Sequence, residues 1–226
     1  MRGPRRFAWL LLLILPVLAR AYGPMYDMGN LGILDSSWYY QAIQYDIALK
    51  SQPERPAEER SKLVTAPSSA VSMPARLAAG YPPASRAQAE ATFRSLLRSY
   101  ADIEKRFSIP PGDLGGAAAA FVAGCVMAMH GADFPDEHFA PLVDQMRTAV
   151  AAVPGFARLS ERDRREAYEQ LAIIGMFMAS TQMALKSRPD AALAQRTRDA
   201  ARRYLGQFVK GDVTRLSVGA KGLVLR

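Results

Sequence analysis

This chain is predicted to be an all-α protein: a compact bundle of about five helices on residues 84–226, preceded by an export leader, an aromatic segment and a disordered linker. Three observations predict this fold class. Apolar residues recur at three- and four-residue spacing from residue 84 onward, Pro and Gly separate these stretches, and no convincing strand alternation occurs. Half of the 226 residues are apolar and 22% are charged, which is sufficient for a packed core.

The first 21 residues are predicted to be a signal peptide. Arg2, Arg5 and Arg6 precede an apolar run over residues 7–18, and residues 19–21 (Ala-Arg-Ala) form a small-x-small cleavage site. A membrane-spanning helix needs about 20 apolar residues, so the run is too short for the alternative, an uncleaved anchor. We therefore expect an exported protein, periplasmic or secreted, with no transmembrane span after cleavage.

Removal of the leader changes the charge of the chain. Four of the 29 basic residues lie in residues 1–21, so the formal net charge falls from +8 to +4. Part of the high isoelectric point therefore belongs to the leader and not to a nucleic-acid partner, which we do not expect.

Residues 22–50 form an aromatic-rich segment with a possible short helix, and residues 51–83 are rich in Pro and are expected to be a disordered linker. Tyr and Trp are favoured at interfaces, so this segment is the predicted contact site for an unknown protein or envelope component. The alternative is that the segment docks on its own helical domain. The candidate interaction residues are Trp38, Tyr39, Tyr40 and Tyr45.

Five helices are predicted in the helical domain. They cover about 85–107, 114–130, 136–153, 160–187 and 189–211. Asp113 and Ser160 are the predicted N-caps of the second and fourth helices, Gly131 ends the second, and Pro189 is placed in the first turn of the fifth. The remaining tail is expected to be one turn or a short extended piece docked on the bundle.

The second and fourth helices are apolar on nearly all sides, which predicts that they lie in the centre of the bundle. Small residues would allow them to approach closely, and we expect Ala120 and Gly124 to meet the fourth helix near Gly175. Cys125 is expected to be a buried, inert thiol. A pocket for a small apolar ligand between these helices is an alternative function.

Both histidines and three carboxylates lie within nine residues, over residues 130–138. A hydrolase or metal-dependent enzyme that uses this cluster is therefore an alternative function, with Asp133 and Glu137 as candidate catalytic residues and His130, His138 and Asp133 as candidate metal ligands. However, the spacing matches no zinc signature, and helix-terminus roles account for these residue types. No catalytic, metal or cofactor site is predicted from it.

Glu169 is a third candidate catalytic residue. It lies three residues after Glu166 on one helix face, a spacing that glycosidases and di-metal bundles use, but the Glu-x-x-His pair of such bundles is missing. Capping and ion pairs are the simpler interpretation. The arginines of the fifth helix are interpreted as a solvated outer face; they are Arg196, Arg198, Arg202 and Arg203.

Several residues of the helical domain match a pattern found in a known family. They are Phe93 and Tyr100, Asp113, the Gln145-Met146-Arg147 run, the Tyr168-Glu169-Gln170-Leu171 run, Gly175, Arg202, and the piece over 216–223. Residues 93–223 thereby resemble an uncharacterised family of exported bacterial helical domains, a domain of unknown function. The resemblance implies a bacterial, exported origin and supplies no activity, cofactor or catalytic residue. Together these observations favour a non-enzymatic protein that acts through protein or envelope contacts.

Overall fold

The computed structural model describes residues 63–65, 73–153, 156–209 and 212–225. The predicted signal peptide, the aromatic segment and most of the first half of the predicted linker lie outside these residues.

Six α-helices and one antiparallel hairpin form the described part of the chain. The helices are α1 (Met73–Ala79), α2 (Pro83–Arg106), α3 (Leu114–His130), α4 (Phe139–Ala151), α5 (Glu161–Ser187) and α6 (Ala191–Phe208), and the strands are β1 (Leu216–Gly219) and β2 (Gly222–Leu225). The predicted all-α fold class is therefore confirmed.

Helices α3 and α5 occupy the centre of the bundle, as predicted. They share the most extensive contact between any two described elements, with α4 and α6 packed on α3, and α2 on α5. Nearly every residue of α3 is buried, and α5 is buried almost continuously from Ala167 to Leu185. A helix that is apolar on all sides lowers its free energy only when neighbours cover all sides, so the composition of these two helices accounts for the arrangement.

Glycine allows the two central helices to touch through their backbones. A β-carbon on Gly124 would overlap with the carbonyl group of Gly175, and a β-carbon on Gly175 would lie 2.5 Å from the carbonyl oxygen of Ala120. The predicted meeting of Ala120 and Gly124 with Gly175 is confirmed. No larger residue fits at either glycine without separating the helices.

Local signals set most helix ends. Asp113 caps α3 by accepting from the amide of Gly116, Ser160 caps α5 by accepting from the amide of Asp163, and Gly131 ends α3 with a φ of 66°. These three predictions are confirmed. Each side-chain cap satisfies an amide that has no partner within its helix.

Two predicted helix starts are wrong. The third predicted helix was expected from residue 136, but a 3₁₀ turn (Asp136–His138) precedes α4. Pro141 explains this, because a proline amide is tolerated only in the first turn of a helix. The fifth helix begins at Ala191, where the carboxylate of Asp190 accepts from the Leu193 amide, so Pro189 lies before the helix and not within its first turn.

The prediction of a disordered linker over residues 51–83 is wrong for its described part. Leu63 and Thr65 are buried, and the amide of Thr65 donates to Gly112 (3.0 Å). Helix α1 packs against α2 and α5. We call residues 63–65 and 73–82 the strap.

The strap is ordered because it contributes several apolar side chains to the core and because its prolines do not interrupt a helix. Its buried side chains are Leu63, Thr65, Met73, Pro74, Leu77, Ala78 and Tyr81. Its prolines occupy permitted positions, since Pro74 is the second residue of α1 and Pro82 is the N-cap of α2. The apolar area that these side chains bury offsets the entropy of ordering the segment.

The C-terminal tail is a hairpin of two short strands, which have no strand alternation of convincing length in the sequence. Strand β1 pairs with β2 in the register Val218 to Leu223. Gln145 of α4 binds the outer edge of β2, because its side-chain amide donates to the Leu223 carbonyl (2.9 Å) and its oxygen accepts from the Leu223 amide (2.6 Å). The expectation of an extended piece docked on the bundle agrees with this arrangement.

Gly124→Leu should prevent stable folding, because its side chain would have to displace the backbone of α5. Overpacking of this kind costs about 1–3 kcal/mol where side chains can adjust and more where backbone is displaced. Thermal unfolding followed by circular dichroism measures the effect. Gly206→Ala is the matched control, since its β-carbon would meet nothing closer than 4.0 Å and helix propensity should raise stability by up to about 1 kcal/mol. An unchanged melting temperature for Gly124→Leu would contradict the backbone contact.

Candidate functional site

The histidines and carboxylates of residues 130–138 point to different neighbours. The Nε2 atom of His130 lies 3.2 Å from the carbonyl oxygen of Leu216 at β1, and both carboxylate oxygens of Asp133 accept from Lys186 Nζ of α5 (2.7 Å each). These contacts attach the end of α3 to the hairpin and the following turn to α5.

The second half of this segment is bound to α2. Asp136 forms an ion pair with Arg106, and burial raises the pKa of the Asp136 carboxyl while Arg106 opposes that rise. Glu137 is exposed in the same turn, and the half-buried His138 has no hydrogen-bond partner for Nδ1 among the described residues. Within the part of the chain that the structure describes, no group of three or more His, Cys, Asp or Glu is placed to hold a metal ion.

Glu169 lies in a structural contact of the strap. The residue is 6% exposed; its Oε2 accepts from the amide of Met73 (2.8 Å), and its Oε1 accepts from Nε of Arg165 (2.9 Å). The amide of Met73 is the first of α1, so the carboxylate supplies a partner that the short helix itself cannot provide. Both oxygens of this candidate catalytic residue are thus bound by the protein itself.

The most enclosed group of polar side chains was not identified from the sequence as a site. It lies where α2, α4 and α5 meet the turn before α3, and we call it the buried polar cluster. Its members are Tyr100, Glu104, Asp113, Arg147 and Tyr168.

Glu104 is the central acid of the buried polar cluster and is 3% exposed. Its Oε1 accepts from the hydroxyl of Tyr168 (2.9 Å) and from the amide of Gly112 (3.0 Å). Burial raises the pKa of Glu104 above its usual range, and these two hydrogen bonds oppose the rise. No arginine or lysine in the described ranges forms an ion pair with it, so its charge depends on neutral donors alone.

Asp113 has a cationic partner. Its Oδ2 accepts from Nε of Arg147 (2.7 Å), while its Oδ1 accepts from the amide of Gly116 at the start of α3. Asp113 is nearly inaccessible to solvent, whereas Arg147 keeps part of its side chain exposed. Removing one partner of such a pair leaves an uncompensated charge, at a cost of about 3–5 kcal/mol. The pair therefore fixes α4 against the N-terminus of α3.

Tyr100 is fully buried beside these acids. Its ring packs edge-on against Tyr168 with 5.8 Å between centroids, and its hydroxyl has no hydrogen-bond partner among the described residues. Burial, followed by the charge of Glu104, raises the pKa of the Tyr100 hydroxyl well above its usual range. The absence of a side chain at Gly116 leaves room for this hydroxyl.

The strap covers the buried polar cluster through the turn before α3. Gly112, whose amide binds Glu104, accepts from the amide of Thr65, and the carbonyl of Leu63 accepts from the amide of Leu114. The donors and acceptors of the cluster therefore join four helices and the strap. This arrangement gives the cluster a structural role.

Part of this cluster could have been found in the sequence. Glu104 follows Tyr100 by four residues on α2, so a carboxylate lies next to the apolar stripe of that helix and is a candidate for burial. Four members of the cluster also belong to the residues on which the family resemblance depends; they are Tyr100, Asp113, Arg147 and Tyr168. Their mutual contacts depend on tertiary structure and have no local signal.

Cys125 is fully buried in α3, as expected. Burial in this apolar environment raises the pKa of its thiol far above the usual range. A thiol that stays protonated is a poor nucleophile, so Cys125 has no catalytic character in this setting.

The fold and the buried polar cluster together define a helical bundle with a small hairpin, whose buried acids bind its own segments. Residues 42–226 match a family described as a family of unknown function, DUF6683, and the chain belongs to that family. The predicted resemblance to an uncharacterised domain is confirmed. The match begins upstream of the stretch from which it was predicted, and it includes the strap and the end of the aromatic segment.

The comparisons with curated proteins and with solved structures gave no match. Among the described helices, none is both long enough and apolar enough to cross a membrane.

Glu104→Gln should remove a pH dependence of stability. The pKa of Glu104 is raised in the folded state, so the protonated side chain stabilises the fold relative to the ionised one. This contribution is complete below the unfolded pKa of about 4.3 and is lost as pH rises through the folded pKa. The loss amounts to about 1.4 kcal/mol for each unit by which the folded pKa exceeds the unfolded pKa. The free energy of unfolding, measured by urea titration from about pH 4 upward, should therefore fall more with pH in the wild type than in the variant.

Tyr168→Phe is the directional control for this prediction. It removes a donor that favours the ionised form of Glu104, so the decline of stability should extend to higher pH. Identical pH profiles for the wild type and Glu104→Gln would contradict the assignment.

Proposed function

We propose that this chain is an exported bacterial protein, periplasmic or secreted, that acts through contacts with a protein or envelope component and not through catalysis. The observation that carries the proposal is the binding of its buried carboxylates by the protein itself. Each accepts a hydrogen bond from a backbone amide: Glu169 from the strap, Glu104 from the turn before α3, and Asp113 from the first turn of α3. Carboxylates that accept hydrogen bonds from the protein's own backbone stabilise the fold, and this role accounts for their burial without a substrate.

Export is supported by the N-terminal pattern. The arginines at positions 2, 5 and 6, the short apolar run over 7–18 and the small residues at 19 and 21 are those of a cleaved signal peptide. In this proposal the working protein begins at Tyr22, and N-terminal sequencing of the exported product tests the assignment directly.

The aromatic segment over residues 22–50 is the proposed contact site. Trp and Tyr contribute a large share of the binding energy at many interfaces, and this stretch concentrates them. The buried Leu63 is the first described residue of the strap, and 12 residues separate it from position 50. A partner bound to the segment would therefore stay within about 45 Å of the helical domain, the longest span of a fully extended connection.

The strap also determines how the contact site should be tested. A deletion that extends through residue 83 would remove Leu63, Met73 and Leu77 from the core and the Met73 amide from Glu169. Such a deletion would unfold the domain whether or not the aromatic segment binds anything. Point substitutions within 22–50 avoid this problem.

The combined variant Trp38→Ala, Tyr39→Ala, Tyr40→Ala and Tyr45→Ala should lose its partner without losing stability. Aromatic contact residues contribute about 2 kcal/mol or more each, so capture of the partner from the native envelope fraction should fall by at least about tenfold. The double variant Val64→Ala, Val224→Ala removes two exposed apolar side chains outside the segment; it is the control and should retain capture. A melting temperature lowered by several degrees in the fourfold variant would contradict the proposal and favour docking of the segment on its own domain.

A further inference from the structure

We draw no further inference here: the strongest candidate, the outer edge of strand β1 beside the exposed Val224 of β2, carries no proposal because nothing in the described part of the structure shows what covers it.

Discussion

The contact between the backbones of Gly124 and Gly175 sets the distance between the two central helices, and the rest of the bundle is arranged around it. At this separation α3 and α5 bury nearly all of their apolar surface in each other and in their neighbours. Every peripheral helix then needs only one apolar face, which leaves the opposite face available for charge. The basic outer surface of α6 is a consequence of this division between inner and outer helices.

Burial also explains why the acids of this protein serve the fold. Glu169 accepts a hydrogen bond from the first amide of α1 in the strap, and Glu104 accepts one from the amide of Gly112 in the turn before α3. A carboxylate in such a position stabilises a turn or a short helix, and its removal would release the segment that covers it. The proposed function is therefore assigned to a part of the chain outside the core, the aromatic segment over residues 22–50.

The sequence predicts the helical domain well because its signals are local. The caps at Asp113 and Ser160, the stop at Gly131 and the uniformly apolar character of α3 and α5 depend on neighbouring residues alone. The strap is not predicted because the proline and charge content averaged over residues 51–83 indicates disorder. The short helix α1 within this stretch is stabilised by its contacts with α2 and α5, which have no local signal.

The site is a different case, because its residues meet only in the tertiary structure. The sequence predicts one cluster over residues 130–138, but its side chains bind β1, α5 and α2 separately. In contrast, Glu104 and Tyr168 lie 64 residues apart in the sequence and are joined by a hydrogen bond. Native-state hydrogen exchange tests the central claim of this account most directly. Amides of residues 119–128 and 172–179 should exchange only through global unfolding, with a free energy equal to that from denaturant titration. Faster exchange at these positions than in α2 or α6 would contradict a fold organised around the crossing of α3 and α5.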